Sequence, residues 1–387
     1  MRILFIYIGV EQGFSGQAIA SQLAMKILAC KAVTIECCEL PHLDRSCSGN
    51  AFSRYIGLAV KLVRAYWGMM TGPGGWDAVH VAVGQTPFAM VRDGLALKIA
   101  TWRSRRDART FAALNGGVFT RWYKSDLPAR MLRWVARQAH QLCCVGPRQE
   151  ASLEKLGIAA DSIAVVPNTC EYEALTSDEV TAKHRNATPL RVLFLSTLYD
   201  TKGYPEFLEA LAELSQEDGP LIEARLCGPV VVSEFDQRFK SIPEAAAWIR
   251  EQVDAINASS RIKVEWTPGV QGEAKKEALE TAHIFVLPTT YPVEAQPLAL
   301  LEAMAHGCAI VTSDIAEIPT TVTPDCGAML SVVDARSVRD AMDSLVRDPE
   351  RRLKCGEAAR ERFVERFSRE RHRDVWRDLL GLNNGSA

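Results

Sequence analysis

The 387-residue chain predicts an α/β fold made of two doubly wound parallel-sheet domains. Three observations lead there. Short apolar strands alternate with helical stretches along the whole length, a pattern that suits parallel sheets covered on both faces. The length exceeds what one ordinary core fills. The alternation breaks once, at 175–189 (L-T-S-D-E-V-T-A-K-H-R-N-A-T-P), where no apolar period exists and a linker is expected.

In the first half, strands are predicted at 2–8, 33–38, 78–83, 109–114, 141–145 and 163–166. Helices fall between them near 16–30, 52–70, 88–103, 126–139 and 148–157. The second half repeats the theme, with strands at 191–196, 221–227, 261–266, 284–288 and 309–313. Its helices are expected at 204–215, 243–257, 271–282, 297–306, 334–346 and 349–364, followed by a charged helix at 367–380. Domains are therefore expected at 1–180 and 189–365.

A near-neutral total of −2 hides an asymmetry. Residues 1–188 carry 22 Lys+Arg against 15 Asp+Glu, whereas 189–387 carry 23 against 32. A basic first half and an acidic second half speak of partners rather than of fold. Eleven cysteines show neither C-x-x-C nor metal-ligand spacing. Free thiols in apolar runs, such as Cys143, Cys144 and Cys308, suit a reducing cytoplasm. The opening M-R-I-L-F-I-Y-I-G-V is too short for a signal core and reads as a first strand. No apolar run approaches the roughly 18 residues of a membrane span.

Residues 288–313 (P-T-T-Y-P-V-E-A-Q-P-L-A-L-L-E-A-M-A-H-G-C-A-I-V-T-S) carry most of the functional information. Pro297 suits a first helical position and Gly307 the position just past the end. The loop around Glu294 then lies at a helix N-terminus, where backbone N–H groups and the dipole favour an anion such as phosphate. Glu302 is the only charge between Glu294 and His306, and a carboxylate there needs partners. Ribose hydroxyls would serve, and so would a neighbouring Arg. Upstream, F-L-S-T-L-Y-D-T-K-G-Y-P puts Lys202 and Gly203 in the loop after a strand, where open α/β sheets bind ligands. A cation at that place can stabilise a departing diphosphate.

Two glutamates separated by seven residues, with the strand–loop–Lys-Gly–helix element before them, resemble the signatures of family four retaining glycosyltransferases. That resemblance implies the GT-B fold, two Rossmann-like domains facing each other across a cleft. It also implies transfer of a sugar from a nucleotide donor to a hydroxyl acceptor without a metal or other cofactor. Glu294, Lys202 and Asn115 would be the catalytic set. Glu294 would fix the donor sugar, Lys202 the diphosphate and Glu302 the ribose. Asn115 in A-L-N-G-G-V-F stands where the family has His in H-G-G-x-F, so a protonated imidazole has no place there. The Gly-rich first loop would correspond to Gly13 and Gly16. Thr197 occupies a position that many members fill with Arg, and Ala295 one that is often Gly. By the same resemblance Gly228, Gly269 and Val270 flank the nucleobase, and Ala295, Gln296, Pro297 and Leu298 continue the donor site. Asn168 in V-V-P-N-T-C-E would organise the turn before the linker.

The expected donor is a UDP- or GDP-sugar and the acceptor a glycan or lipid-linked glycan of the cell envelope. The departures at Asn115, Thr197 and Ala295 leave two alternatives open. One is a nucleotide-sugar-binding protein that has lost transfer; the other is a GT-B-like epimerase or hydrolase. D-x-D, H-E-x-x-H and a Ser nucleophile elbow are absent from the sequence. His80, in D-A-V-H-V-A-V, reads as a satisfied core or rim residue. At helical spacing Arg54, Lys61 and Arg64 project within about 80° of one another on an otherwise apolar segment ending in Tyr66 and Trp67. Lys98, Arg103, Arg105, Arg106 and Arg109 follow. An interfacial helix on anionic lipid has this composition, and so has a solvated face over a core helix. No aromatic–basic RNA motif accompanies the charge, so nucleic acid is not expected.

Overall fold

The computed structural model describes residues 1–8, 16–29, 32–41 and 51–382, in two units. The first holds Met1–Thr169 with Arg369–Ala387, and the second holds Cys170–Ser368. In the first unit the order is β1 (Arg2–Ile8), α1 (Gly16–Leu28), β2 (Thr34–Leu40), α2 (Ala51–Thr71), β3 (Ala78–Ala82) and α3 (Pro87–Arg103). Then come β4 (Arg109–Ala113), α4 (Leu127–Ala136), β5 (Gln141–Cys144), α5 (Pro147–Lys155) and β6 (Ile163–Val165). The second unit begins with α6 (Ser177–Arg185), β7 (Leu190–Leu195), α7 (Tyr204–Ser215), β8 (Ile222–Cys227), α8 (Ile242–Asn257) and β9 (Ile262–Thr267). It continues with α9 (Gly272–Thr281), β10 (Ile284–Leu287), α10 (Leu298–Ala305), β11 (Ala309–Ser313), α11 (Ile318–Thr321) and β12 (Gly327–Leu330). Helices α12 (Ala335–Val346) and α13 (Pro349–Arg366) complete it, and α14 (Arg369–Leu380) belongs to the first unit.

Each unit is a six-stranded parallel sheet, ordered β2-β1-β3-β4-β5-β6 in the first and β12-β11-β10-β7-β8-β9 in the second. All residues of β3, β10 and β11 are buried, as expected of strands covered on both faces. In the second sheet the chain runs outward through β7, β8 and β9, then returns to place β10 on the other side of β7. This reversal opens a crevice at the carboxyl ends of β7 and β10, the general location of ligands in such sheets. The first sheet has the corresponding reversal between β1 and β3.

Besides the short, unexpected α11, three features differ from the sequence expectation. The stretch 175–189 contains α6 rather than only a linker. Thr176 and Glu179 form a capping box, and Val180 is fully buried against Gly307. One apolar anchor and a good cap sufficed for a helix where no periodicity was visible. Strand β12 was missed because G-A-M-L is short and only half buried. Pro297 is the N-cap of α10, one residue before the first helical position, while Gly307 follows the helix with φ +62°.

Helix α14 lies against the first sheet. Trp376 packs edge-on to Phe111 (5.4 Å) and to His80 (5.3 Å), which itself stacks on Phe5 at 4.5 Å. His372 Nδ1 donates to the Pro167 carbonyl (2.8 Å), and its Nε2 accepts from Trp376 Nε1 (3.0 Å). Both lone sites of that ring are used, which fixes the neutral tautomer. His80 is buried, but its Nδ1 has no hydrogen-bond partner among the described residues, so it is not a satisfied core histidine.

Burial pushes four imidazoles down, His80 and His283 to about 3 and His184 and His372 to about 4. An unfolded histidine titrates near 6.5. Because the folded values are depressed, this contribution is complete above about pH 6.5 and is lost as pH falls towards 4, each histidine adding a slope of up to about 1.4 kcal/mol per pH unit. The melting temperature should therefore fall steadily between pH 6.5 and 4.5. A flat profile over that window would contradict neutral, buried rings.

Candidate functional site

Lys202 and Glu294 meet at the carboxyl ends of β7 and β10. After β7, residues 200–202 make one 3₁₀ turn, and Gly203 follows at φ +85°. A Cβ at Gly203 would lie 2.4 Å from the Pro288 carbonyl oxygen, so this turn approaches the exit of β10 as closely as glycine allows. Thr290 N donates to the Thr201 carbonyl (2.7 Å) and ties the two loops together. Lys202 Nζ forms an ion pair with Glu294 Oε2, and both side chains are about nine-tenths buried, at 11% and 10% exposure. Thr289 Oγ1 lies 3.4 Å from the same carboxylate oxygen. The ammonium also sits 4.7 Å from the centroid of Tyr291, whose ring stacks on Tyr199 (5.4 Å, 4°) and meets Phe235 edge-on at 5.7 Å. Burial, with Tyr199 and Glu294 alongside, pushes the Tyr291 phenol up to about 12. A desolvated ammonium held only by a carboxylate and a π face can exchange that carboxylate for a phosphate oxygen when a hydroxyl takes its place on Glu294.

Helix α10 is buried along nearly its whole length and starts without a side-chain cap. Its N-terminus follows directly on the Glu294 turn, where Glu294 N donates to the Tyr291 carbonyl (3.1 Å). The protein partner of Glu302 among the described residues is a lysine rather than an arginine. Lys275 Nζ of α9 donates to Glu302 Oε1 at 2.5 Å, and the same ammonium lies 3.8 Å from Glu171. Burial raises the Glu302 carboxyl above the ordinary range, and Lys275 works against that rise.

The remaining predicted residues of the second unit divide by how their atoms are used. Gly228 has φ +146°, and a Cβ there would overlap the Ser196 carbonyl oxygen at 1.7 Å; its own carbonyl accepts from Trp266 Nε1 (3.4 Å). Gly269 has open space around it, and Val270 is half-buried against the core. Thr197 is half-buried at the end of β7, and its carbonyl accepts from Tyr199 N (3.0 Å). Ala295 is buried, and its carbonyl accepts from Glu317 N. Gln296 is buried too and donates to Thr321 Oγ1 (2.9 Å). Pro297 and Leu298 form the start of α10. Tyr199, Tyr291, Thr289 and Lys275 were not predicted. The T-T-Y-P run just before Glu294 was a usable signal for two of them; nothing in the sequence marks Lys275.

In the first unit, Asn115 follows β4 and is half-buried. The carbonyl of Gly116 accepts from Gln85 Nε2 (2.8 Å) and Gln149 Nε2 (3.2 Å), and Phe119 N donates to Gln85 Oε1 (3.0 Å), so the N-G-G turn is clamped by two amides. Asn115 lines a small cavity with Ser21, His80, Asn168 and His372. Gly16 is the first residue of α1. Gly13 lies outside the described residues, as do the rest of the loop before α1 and the side chain of Arg54.

Comparison with known proteins places the chain in a family. Residues 177–362 match the family model described as Glycosyl transferases group 1. The alpha-maltose-1-phosphate synthase of Mycolicibacterium smegmatis is 35% identical over 136 residues, covering 33% of this chain and 34% of that protein. The chain thus aligns with about a third of the length of the curated relatives it matches first. The putative colanic acid biosynthesis glycosyltransferase WcaL of Escherichia coli is 25% identical over 243 residues, covering 59% of this chain and 55% of that protein. Among solved structures, Anabaena HepE in complex with UDP is similar in fold at 14% identity, with a TM-score of 0.70, covering 99% of this chain and 100% of that one. The fold is therefore the GT-B type, with two Rossmann-like domains. The second unit of this chain carries a domain of the Glycosyl transferases group 1 family.

Proposed function

We propose that the protein is a retaining, metal-independent glycosyltransferase that moves a hexose from a UDP- or GDP-sugar to a hydroxyl of an envelope or lipid-linked glycan. The observation that carries this reading is the meeting of Lys202 and Glu294 at the switch point between β7 and β10, beside the N-terminus of α10. In the proposed reaction the bond between the anomeric carbon and the donor phosphate breaks, and the acceptor oxygen bonds to that carbon on the same face. The acceptor proton goes to the leaving phosphate. Lys202 and the first N–H groups of α10 would hold the charge that grows on the diphosphate. Glu294 would orient the sugar through its hydroxyls, and Glu302 would accept from the ribose. Similar folds solved with UDP and with UDP-glucose support a nucleotide-sugar donor. The absence of D-x-D from the sequence supports diphosphate stabilisation by protein groups.

Calorimetry with a panel of nucleotide sugars, followed by nucleotide-release assays with and without membrane extract, tests the reading. Release that requires the extract supports transfer. Binding without release favours the carrier alternative, release without any acceptor favours a hydrolase or epimerase, and no binding rejects all three.

Peripheral attachment to an anionic bilayer is part of the proposal, and the outward face of α2 supports it. Tyr55, Ile56, Val60, Val63, Trp67 and Met70 are exposed and share about 140° of the helix at 100° per residue, an arc that begins beside the buried Leu58, Leu62 and Met69 and turns away from them. Val63 is 65% exposed and Trp67 64%. On α3, Phe88, Val91, Leu95 and Trp102 form a second exposed apolar line. The only acid in either helix is Asp93, buried against Arg92. A solvated polar face over a core helix has no reason to expose such a surface; apolar anchors flanked by Lys61, Arg64 and Lys98 match an anionic interface. Co-sedimentation with phosphatidylglycerol-containing vesicles should be strong at low salt and weaken at high salt. The Val63→Glu/Trp67→Glu double variant should abolish it, and no sedimentation of the wild type at low salt would refute attachment.

A further inference from the structure

We infer that Lys275, on the inward edge of α9, is a positioning residue for the nucleotide: it holds Glu302 as an ionised acceptor for the ribose hydroxyls and so sets donor affinity without acting on the transferred sugar. This rests on the proposed role of Glu302 and goes beyond it, since no motif points to α9.

The geometry is specific. Glu302 is 5% exposed and lies on a helix whose other side chains are Leu, Ala and Met. Among the described residues, Lys275 is the one cation in contact with its carboxylate, through Oε1. The Lys275 side chain is itself only 19% exposed, and its ammonium lies 5.5 Å from the Tyr172 ring centroid. The other titratable groups around the carboxylate come from the segment before α6 and from the end of α10. Cys170 and Tyr172 are kept protonated by burial and by Glu302, Glu171 adds a like charge, and the buried His306 is pushed down and donates from Nδ1 to the Glu302 carbonyl (2.7 Å). None of these supplies positive charge near neutral pH. Lys275 is thus the group that opposes the desolvation of Glu302.

An ionised carboxylate accepts two hydroxyl protons at once, whereas a protonated one offers a donor that a ribose diol meets less well. The single ammonium occupies one oxygen and leaves acceptor capacity on the other. Removing it makes protonation of Glu302 easier, because burial is then unopposed. The loss should fall on nucleotide binding, be largest at low pH, and shrink as pH rises and Glu302 ionises.

The test uses Lys275→Met, which keeps the aliphatic stem, and measures binding of UDP and of 2′,3′-dideoxy-UDP by calorimetry. At pH 7 the variant should bind UDP about tenfold or more weakly, as expected for the loss of a charged hydrogen-bond partner. The deficit should narrow at pH 9, and Lys275→Arg should restore binding. The dideoxy analogue, lacking the hydroxyls in question, should bind wild type and variant alike. In turnover, the KM for the nucleotide sugar should rise while kcat stays within about twofold, because the interaction is equal in ground and transition states. An infrared band of a protonated carboxyl should appear in Lys275→Met at pH 7 and vanish in Lys275→Met/Glu302→Gln. If UDP binds wild type and Lys275→Met equally, the inference alone is overturned. If wild type binds none of UDP, GDP, ADP and CDP, the transfer reading on which it rests falls as well, and the inference with it.

Discussion

Lys202→Ala should lower kcat for sugar transfer by roughly 10²- to 10³-fold, the loss typical of removing one preorganised donor to a developing anion. The same substitution should also weaken binding of the nucleoside diphosphate, because the ammonium is the one cation that the β7 and β10 loops bring to the switch point among the described residues. Glu294→Gln should behave differently. It removes the carboxylate that occupies Lys202 in the unliganded protein, so nucleoside diphosphate binding should be retained or strengthened while transfer is lost by orders of magnitude. The split follows from the ion pair: a full donor can satisfy both partners, phosphate on Lys202 and a hydroxyl on Glu294, whereas a bare diphosphate leaves Glu294 without its cation. Steady-state turnover and calorimetry on the two variants decide it. Near-wild-type turnover in both would reject the assignment of the site. Since removing one partner of a buried pair costs up to about 3–5 kcal/mol of stability, thermal melts should accompany both measurements. The Lys202→Met/Glu294→Gln double variant, in which neither charge is left alone, should melt closer to wild type than Lys202→Ala does.

Gly228→Ala should be among the most damaging single substitutions in the second unit, and Gly269→Ala among the mildest. The sequence placed both glycines after strands and gave both the same role. At Gly228 the backbone has φ +146° and a methyl group would overlap the Ser196 carbonyl oxygen at 1.7 Å, so the exits of β7 and β8 would have to move apart. Overpacking of this kind costs about 1–3 kcal/mol and a strained backbone conformation about 1–3 more. Gly269 meets nothing within 4 Å. Denaturant unfolding of the two variants should therefore separate by several kcal/mol. Equal stability would mean that the loop after β8 is free to shift. Because that loop neighbours the turn carrying Lys202, Gly228→Ala should also depress turnover in whatever fraction remains folded.

The alternation of apolar strands and amphipathic helices is a local property, written in residues a few positions apart. That is why eleven of the twelve strands and both doubly wound sheets could be read from the chain, and the start of α10 to within one residue. The ion pair of the candidate site was readable for a related reason. Lys202 and Glu294 each sit just after a strand, and strands of a parallel sheet present their following loops at one edge. Helix α6 escaped because its stability comes from one cap and one buried valine against Gly307, a contact made far along the chain. The outward face of α2 escaped for the opposite reason: its residues are apolar on nearly every side, so periodicity does not tell which side is covered.

By itself the sequence determined the two-sheet architecture, and it pointed to the cation and the carboxylates of the proposed donor site and to the departure at Asn115. Only the tertiary structure decided what those charges touch: that Lys202 is paired with Glu294 over a stacked tyrosine, and that Glu302 is held by Lys275. The physical reason is that chain spacing fixes a residue's place on its own strand or helix. The partner of a buried charge is chosen by whichever distant element packing brings within hydrogen-bond reach, 92 positions away for one pair and 27 for the other.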